Sequence, residues 1–93
     1  MKYTLKPTST FKKEVRLAKK RNLNLSLLEE VITLLANDET LPEKYKDHTL
    51  HGNLEGFREC HVLPDWLLIY QKDEDNLYLY LARTGTHSDL FKK

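Results

Sequence analysis

The stretch FRECHVLPDWLLIYQKDEDNLYLYLARTG, Phe57 to Gly85, holds three β-prone runs parted by two short polar turns, and its reading decides the fold. FRECHV is followed by Pro64 and Asp65, WLLIYQK by Asp73 to Asn76, and LYLYLAR by Thr84 and Gly85. Connections this short make the three strands antiparallel neighbours. Alternation along FRECHV sets Cys60 and Val62 on one face and Glu59 and His61 on the other, so helices should cover the Cys60 face while the His61 face is turned outward. The same count places Arg83 with Leu77, Leu79 and Leu81 on the core face. An arginine there requires either a bulge or a strand that stops at Ala82.

Upstream, Tyr3 to Leu5 reads as a short strand closed by Pro7, and Thr8, Ser9 and Thr10 offer hydroxyls to cap a helix reaching about Arg21. Phe11, Val15 and Ala18 give that helix a narrow buried stripe, and Lys12, Lys13, Arg16, Lys19, Lys20 and Arg21 make the rest of it strongly positive. Ser26 followed by Glu29 reads as a capping box for a second helix, with Leu28, Val31, Ile32 and Leu35 as its buried face and an end near Asn37 or Asp38. LPEKYKDHTLHGNLEG, Leu41 to Gly56, reads as an irregular surface loop. The expected fold is therefore α+β: a small antiparallel sheet with two N-terminal α-helices packed on one face, in the order βααβββ, as one domain spanning residues 1–93.

Composition bounds the function. A chain of 93 residues has apolar material for one core only. With 15 Lys and Arg against 14 Asp and Glu, contact with nucleic acid must come from a local patch such as the first helix. The single cysteine, Cys60, excludes an internal disulfide, and no apolar run is long enough for a membrane span, so a cytoplasmic protein without membrane association is expected.

The candidate chemical groups are His48, His61, His87, Asp65, Trp66, Arg83 and Thr84. His48, His51, Cys60 and His61 could ligate a metal, but they lack the spacing of a zinc motif, so neither metal nor cofactor is expected. A Cys60–His61 nucleophilic pair fails because neighbours in a strand point to opposite faces. Several histidines with an arginine suit RNA cleavage through the RNA's own 2'-hydroxyl. That reaction needs a base, an acid and a cation to hold charge on the phosphorane, with aromatic rings to stack on an unpaired base.

GFRECHVLPDWLLIY (Gly56 to Tyr70) followed by RTGTHSDLF (Arg83 to Phe91) resembles the YafQ branch of the RelE-like toxins of bacterial toxin–antitoxin pairs, closely from Pro42 to Phe91 and more weakly in the two helices. The resemblance implies a ribosome-dependent, metal-free mRNA endonuclease acting in the ribosomal A site, with the ribosome, mRNA and a cognate antitoxin as partners. It also implies helices on one face of the sheet and the RNA site on the other. Carried over position by position, it marks His48, His61, Asp65, Trp66, Arg83, His87 and Phe91. His87 would be the general acid and His48 or His61 the base, with Asp65 orienting a histidine or sharing in proton transfer. Arg83 would stabilise the phosphorane, while Trp66 and Phe91 position the nucleotide with Thr84 nearby. Gly85 would let the chain turn so that Arg83 and His87 meet His61 and Asp65. Lys12, Lys13, Arg16, Lys19 and Lys20 would touch ribosomal RNA phosphates or an acidic antitoxin. The alternative is a non-catalytic module on the same scaffold that binds a protein or nucleic acid.

Overall fold

A computed structural model describes residues 1–91; Lys92 and Lys93, the last two residues of the expected domain, lie outside it. The strands are β1 (Thr4–Pro7), β2 (His48–Thr49), β3 (Arg58–Leu63), β4 (Trp66–Asp73) and β5 (Tyr78–Gly85), and the helices are α1 (Ser9–Lys20), α2 (Leu25–Ala36) and the four-residue α3 (His87–Leu90). The strands join in the order β1-β5-β4-β3-β2.

The β3–β4–β5 meander is antiparallel, as its short turns require. β1 instead runs parallel to β5, with Thr4 opposite Tyr78 and Pro7 opposite Leu81, so the sheet is mixed within the α+β class. A strand far from its partner in sequence carries no turn that would reveal its direction.

Both long helices lie on one face of the sheet. Phe11 and Ala18 of α1 and Leu28, Val31, Leu35 and Ala36 of α2 close over Cys60, Val62, Trp66, Leu68, Tyr70, Leu79 and Leu81. Leu67 and Ile69 are buried as well, outside that cluster, so the central strand β4 is apolar on both faces. No helix among the described residues is long and apolar enough to cross a membrane.

The α1 start is the expected one: the Thr8 hydroxyl accepts the Phe11 N–H at 2.9 Å. The Ser26–Glu29 capping box does not form. Asn24 caps α2 instead, its Oδ1 accepting the Ser26 N–H at 3.1 Å and the Ser26 hydroxyl at 2.6 Å, so the helix begins at Leu25. Asparagine caps as well as serine and stands first in the chain.

The segment from Pro42 to Gly56 has more structure than its sequence promised. Two single turns of 3-10 helix, Glu43–Tyr45 and Gly52–Leu54, flank β2, and the buried Tyr45 anchors them. β2 pairs with β3, setting His48 opposite Glu59.

Of the two ways to release Arg83, the chain uses a bulge. Ile69 pairs with Arg83 and Tyr70 with Leu81, so Ala82 is skipped. Arg83 thereby faces outward with Ile69 while the strand continues to Gly85. Gly85 is not needed for a left-handed turn. A Cβ there would lie 3.0 Å from the Cβ and Oδ2 of Asp89, so what glycine supplies is room for α3 to fold back.

Candidate active site

Three histidines line up on the outer face of the sheet. β2 brings His48, β3 brings His61, and α3 begins with His87. The His48 and His61 ring centroids are 6.3 Å apart, and those of His61 and His87 are 5.6 Å apart. His51 is exposed and has no contact with the others among the described residues.

His87 is fixed by Asp65 at the tip of the β3–β4 hairpin. Asp65 Oδ1 lies 2.6 Å from His87 Nδ1 and accepts the His87 backbone N–H at 2.9 Å. An ionised carboxylate only accepts, so Nδ1 carries its proton toward Asp65 and Nε2 is left for a substrate. The two N–H donors of His87, the backbone one first, hold the Asp65 carboxyl below its ordinary range. The turn that presents His87 is itself braced: Thr86 and Asp89 form a reciprocal capping box, and the Arg21 guanidinium of α1 grips Asp89 at 2.7 and 3.3 Å. That grip lowers Asp89 to about 2.

His48 and His61 share a different carboxylate. Glu59, which is buried despite its charge, places Oε1 3.3 Å from His48 Nε2 and 3.7 Å from His61 Nε2. The other ring nitrogens meet main-chain carbonyls, His48 Nδ1 at Lys46 O (2.7 Å) and His61 Nδ1 at Pro64 O (3.2 Å).

The structure does not bring Arg83 to the histidines as expected. Its Nε and Nη2 engage the carboxylate of Glu14 on α1, the closest approach being 2.6 Å, and Glu14 also accepts the Thr84 N–H at 3.1 Å. β1 stops at Pro7, opposite Leu81, so the edge of β5 beyond it is covered by α1. There Thr8 donates to Ala82 O at 2.9 Å and Glu14 takes the next free donor. Arg83 leans over that edge to the half-buried Glu14 carboxylate.

Trp66 and Thr84 are corrections of a stronger kind. Trp66 is 2% exposed and Thr84 1%, so neither offers RNA a surface. Alternation from Trp66 through Leu68 to Tyr70 points all three at the helices, where the Trp66 indole N–H donates to Thr84 Oγ1 at 2.9 Å and Thr84 donates to Leu67 O at 2.7 Å. Phe91 is half-buried and ends α3, its N–H bonding to His87 O at 2.8 Å. Lys12, Lys13, Arg16, Lys19 and Lys20 are carried along α1, with Lys12, Lys13, Arg16, Lys19 and Lys20 all exposed. Burial pushes the Cys60 thiol up, which keeps it protonated and unreactive near neutral pH.

Two residues of this region had no role predicted from sequence: Glu59 and Glu14. Glu59 was within reach, because alternation already put it beside His61. Glu14 gave no signal, since its partner is a strand edge that only the tertiary fold creates. Beside His61 opens a mostly apolar groove of about 500 Å³, with Leu27, Tyr45, Leu63 and Pro64 in its walls. Among the described residues no three His, Cys, Asp or Glu side chains are grouped to hold a metal ion.

The family model described as "Bacterial toxin of type II toxin-antitoxin system, YafQ" matches residues 3–92. Over 82 residues, 87% of each chain, the sequence is 49% identical to the mRNA interferase toxin YafQ of Escherichia coli K12. The crystal structure of the E. coli DinJ–YafQ complex contains a chain that superposes with a TM-score of 0.88 at 41% identity, covering 96% of this chain and 98% of that one. A metal-bound toxin from Helicobacter pylori superposes with a TM-score of 0.91 at 43% identity, covering 96% and 99%.

Proposed function

The chain belongs to the YafQ family of toxins from bacterial type II toxin–antitoxin systems, and on that footing we propose that it is an endoribonuclease, an mRNA interferase that arrests translation. The observation that carries the chemistry is the His87–Asp65 contact, set 5.6 Å between ring centroids from a second histidine on an open sheet face.

The reaction is metal-independent attack by the RNA 2'-hydroxyl on the adjacent phosphate. His48 or His61 takes the 2'-proton, the 2'-oxygen bonds to phosphorus, and the bond to the 5'-oxygen breaks as His87 Nε2 gives that oxygen a proton. Asp65 holds the His87 ring in the tautomer this requires and stabilises its charged form. Arg83 meets phosphate through the N–H groups that Glu14 leaves over. In place of Trp66, the groove beside His61 can receive an unstacked base, and Phe91 bounds the site at the end of α3.

Cleavage takes place in the ribosomal A site, where the ribosome supplies the placement of the 2'-hydroxyl that so open a face cannot. The cations of α1 touch ribosomal RNA or an acidic antitoxin. A cognate antitoxin is the cytoplasmic partner that keeps the protein inactive, as the E. coli complex with DinJ suggests by analogy.

The test is incubation of the purified protein with programmed ribosomes and mapping of the mRNA ends. Upstream fragments should end in a 2',3'-cyclic phosphate or a 3'-phosphate, and activity should survive a chelator that spares ribosomes. A free 3'-hydroxyl would exclude 2'-oxygen attack. Loss of activity restored by added zinc would exclude the metal-free route.

A further inference from the structure

Glu59 presents a proton-counting problem. His48 Nδ1 and His61 Nδ1 face main-chain carbonyl oxygens, at 2.7 and 3.2 Å, and a carbonyl can only accept. Both Nδ1 atoms therefore carry a proton. In neutral rings both Nε2 atoms would then be bare acceptors lying near a third acceptor, Glu59 Oε1, at 3.3 and 3.7 Å. The other carboxylate oxygen, Oε2, is buried with no hydrogen-bond partner. A carboxylate at 7% side-chain exposure with one oxygen buried and lacking a donor among the described residues is an arrangement that burial disfavours.

Among the described residues no other group on the surrounding elements relieves it. Ile69 lies opposite on β4 and carries no polar atom in its side chain. Asp65 and His87, beyond His61, are engaged with each other. Arg58, next in β3, is turned to Asp47 at 3.2 and 3.3 Å and to the Tyr70 hydroxyl. One added proton eases the conflict at Oε1, whether it sits on an imidazole Nε2 and is donated to Oε1 or sits on the carboxyl and is donated to an Nε2.

We propose that Glu59 is a positioning residue of the cleavage site, holding one proton in common with His48 and His61 so that one Nε2 of the pair is occupied and the other is bare. The proposal rests on the reading of this face as an RNA-cleaving centre. It assigns a division of labour that the histidines alone do not have. The bare Nε2 accepts the 2'-hydroxyl proton: the O–H bond breaks, an N–H bond forms, and the electron pair stays on the oxygen that attacks phosphorus. The imidazolium so formed lies against the negative charge of Glu59. Either histidine can be the base, since the shared proton can reside with its neighbour.

Glu59→Gln tests this, because it keeps the shape while supplying an NH₂ donor that satisfies a bare Nε2 without any shared proton. Histidine ring nitrogens would be followed by NMR across a pH series on the free protein. In the wild type, both rings should show Nδ1–H, and the pair with Glu59 should hold one further proton, on a ring Nε2 or on the carboxyl, that Glu59→Gln lacks under the same conditions. On programmed ribosomes the variant should cleave on the order of 10- to 100-fold more slowly, with its pH profile displaced from that of the wild type. Identical ring titrations in the two proteins, with the wild-type Glu59 carboxylate ionised, would overturn the proposal. If Glu59→Gln fails to fold, the wild-type spectra alone decide: two rings both bare at Nε2 around pH 7, together with a Glu59 carboxyl carbon shift showing the carboxylate ionised, would also overturn it. The NMR measurement uses no RNA, so a wild-type protein that cleaves no mRNA would count against the enzymatic reading and leave the shared proton standing.

Discussion

Asp65 and Glu59 each hold a histidine, yet the Asp65 side chain is 65% exposed and that of Glu59 only 7%. Asp65 sits on a hairpin tip and serves one ring, with two N–H donors converging on a single oxygen. Glu59 sits within a strand and serves two rings from beneath, with one oxygen orphaned. The exposed pair can open and reclose without disturbing the core, which would suit the proton-donating role proposed for His87. In the other group only the carboxylate is buried, with His61 half-buried and His48 exposed, and both rings are carried on paired strands. One fold thus offers an exposed histidine–carboxylate pair beside a buried carboxylate shared by two rings.

The widest gap between the two should appear on removing the exposed ring. His87→Ala is expected to lower single-turnover cleavage on programmed ribosomes by about 10²- to 10⁴-fold, the usual worth of one proton-transfer group. Its thermal stability should stay within about 0.5 kcal/mol, as for a surface substitution. Near wild-type cleavage would remove His87 from the mechanism and leave His48, His61 and Glu59 as the proposed catalytic group.

A smaller effect separates orientation from charge. Asp65→Asn can still accept the His87 backbone N–H, but its side chain is neutral, so cleavage should fall by roughly 10- to 100-fold. A rate loss as large as that of His87→Ala would mean that Asp65 does more than orient, and an unchanged rate would mean that the contact is idle.

Trp66→Phe probes the face opposite both carboxylates. It deletes the indole N–H that reaches Thr84, so denaturant unfolding should report a loss of about 1 kcal/mol, with cleavage within about twofold of wild type. A large rate loss with intact stability would restore Trp66 as a nucleotide contact.

The mildest expectation concerns acid. Asp89 is lowered from 3.8 to about 2 by Arg21, so the link from α1 to α3 contributes fully above pH 3.8 and is lost as pH falls toward about 2. Amide exchange in α3 should therefore accelerate over that window before the β4 amides respond. Simultaneous loss would show that the His87 turn is part of the cooperative core.

The sequence made the sheet legible where alternation and turns are local: the meander, the outward placement of Glu59 and His61, and the Thr8 cap all follow from neighbouring residues. It also narrowed Arg83 to two alternatives, of which the bulge proved correct. What it could not convey depends on distant segments. The direction of β1, the brace between Arg21 and Asp89, and the capture of Arg83 by Glu14 each join residues far apart in the chain. Trp66 is a different case. Its parity with Leu68 and Tyr70 marks it as core, whereas the family motif alone suggested a surface role.

The parallel seam between β1 and β5 bears on how such a protein is made. Thr4 leaves the ribosome well before its partner Tyr78 and the turn at His87. Until β5 arrives, β1 has no neighbour and the helices have no complete sheet to rest on, so the first residues emerge into a chain that cannot yet close its fold. The order of synthesis therefore acts as a timer. The sheet closes only after β5 has followed β1 out of the ribosome.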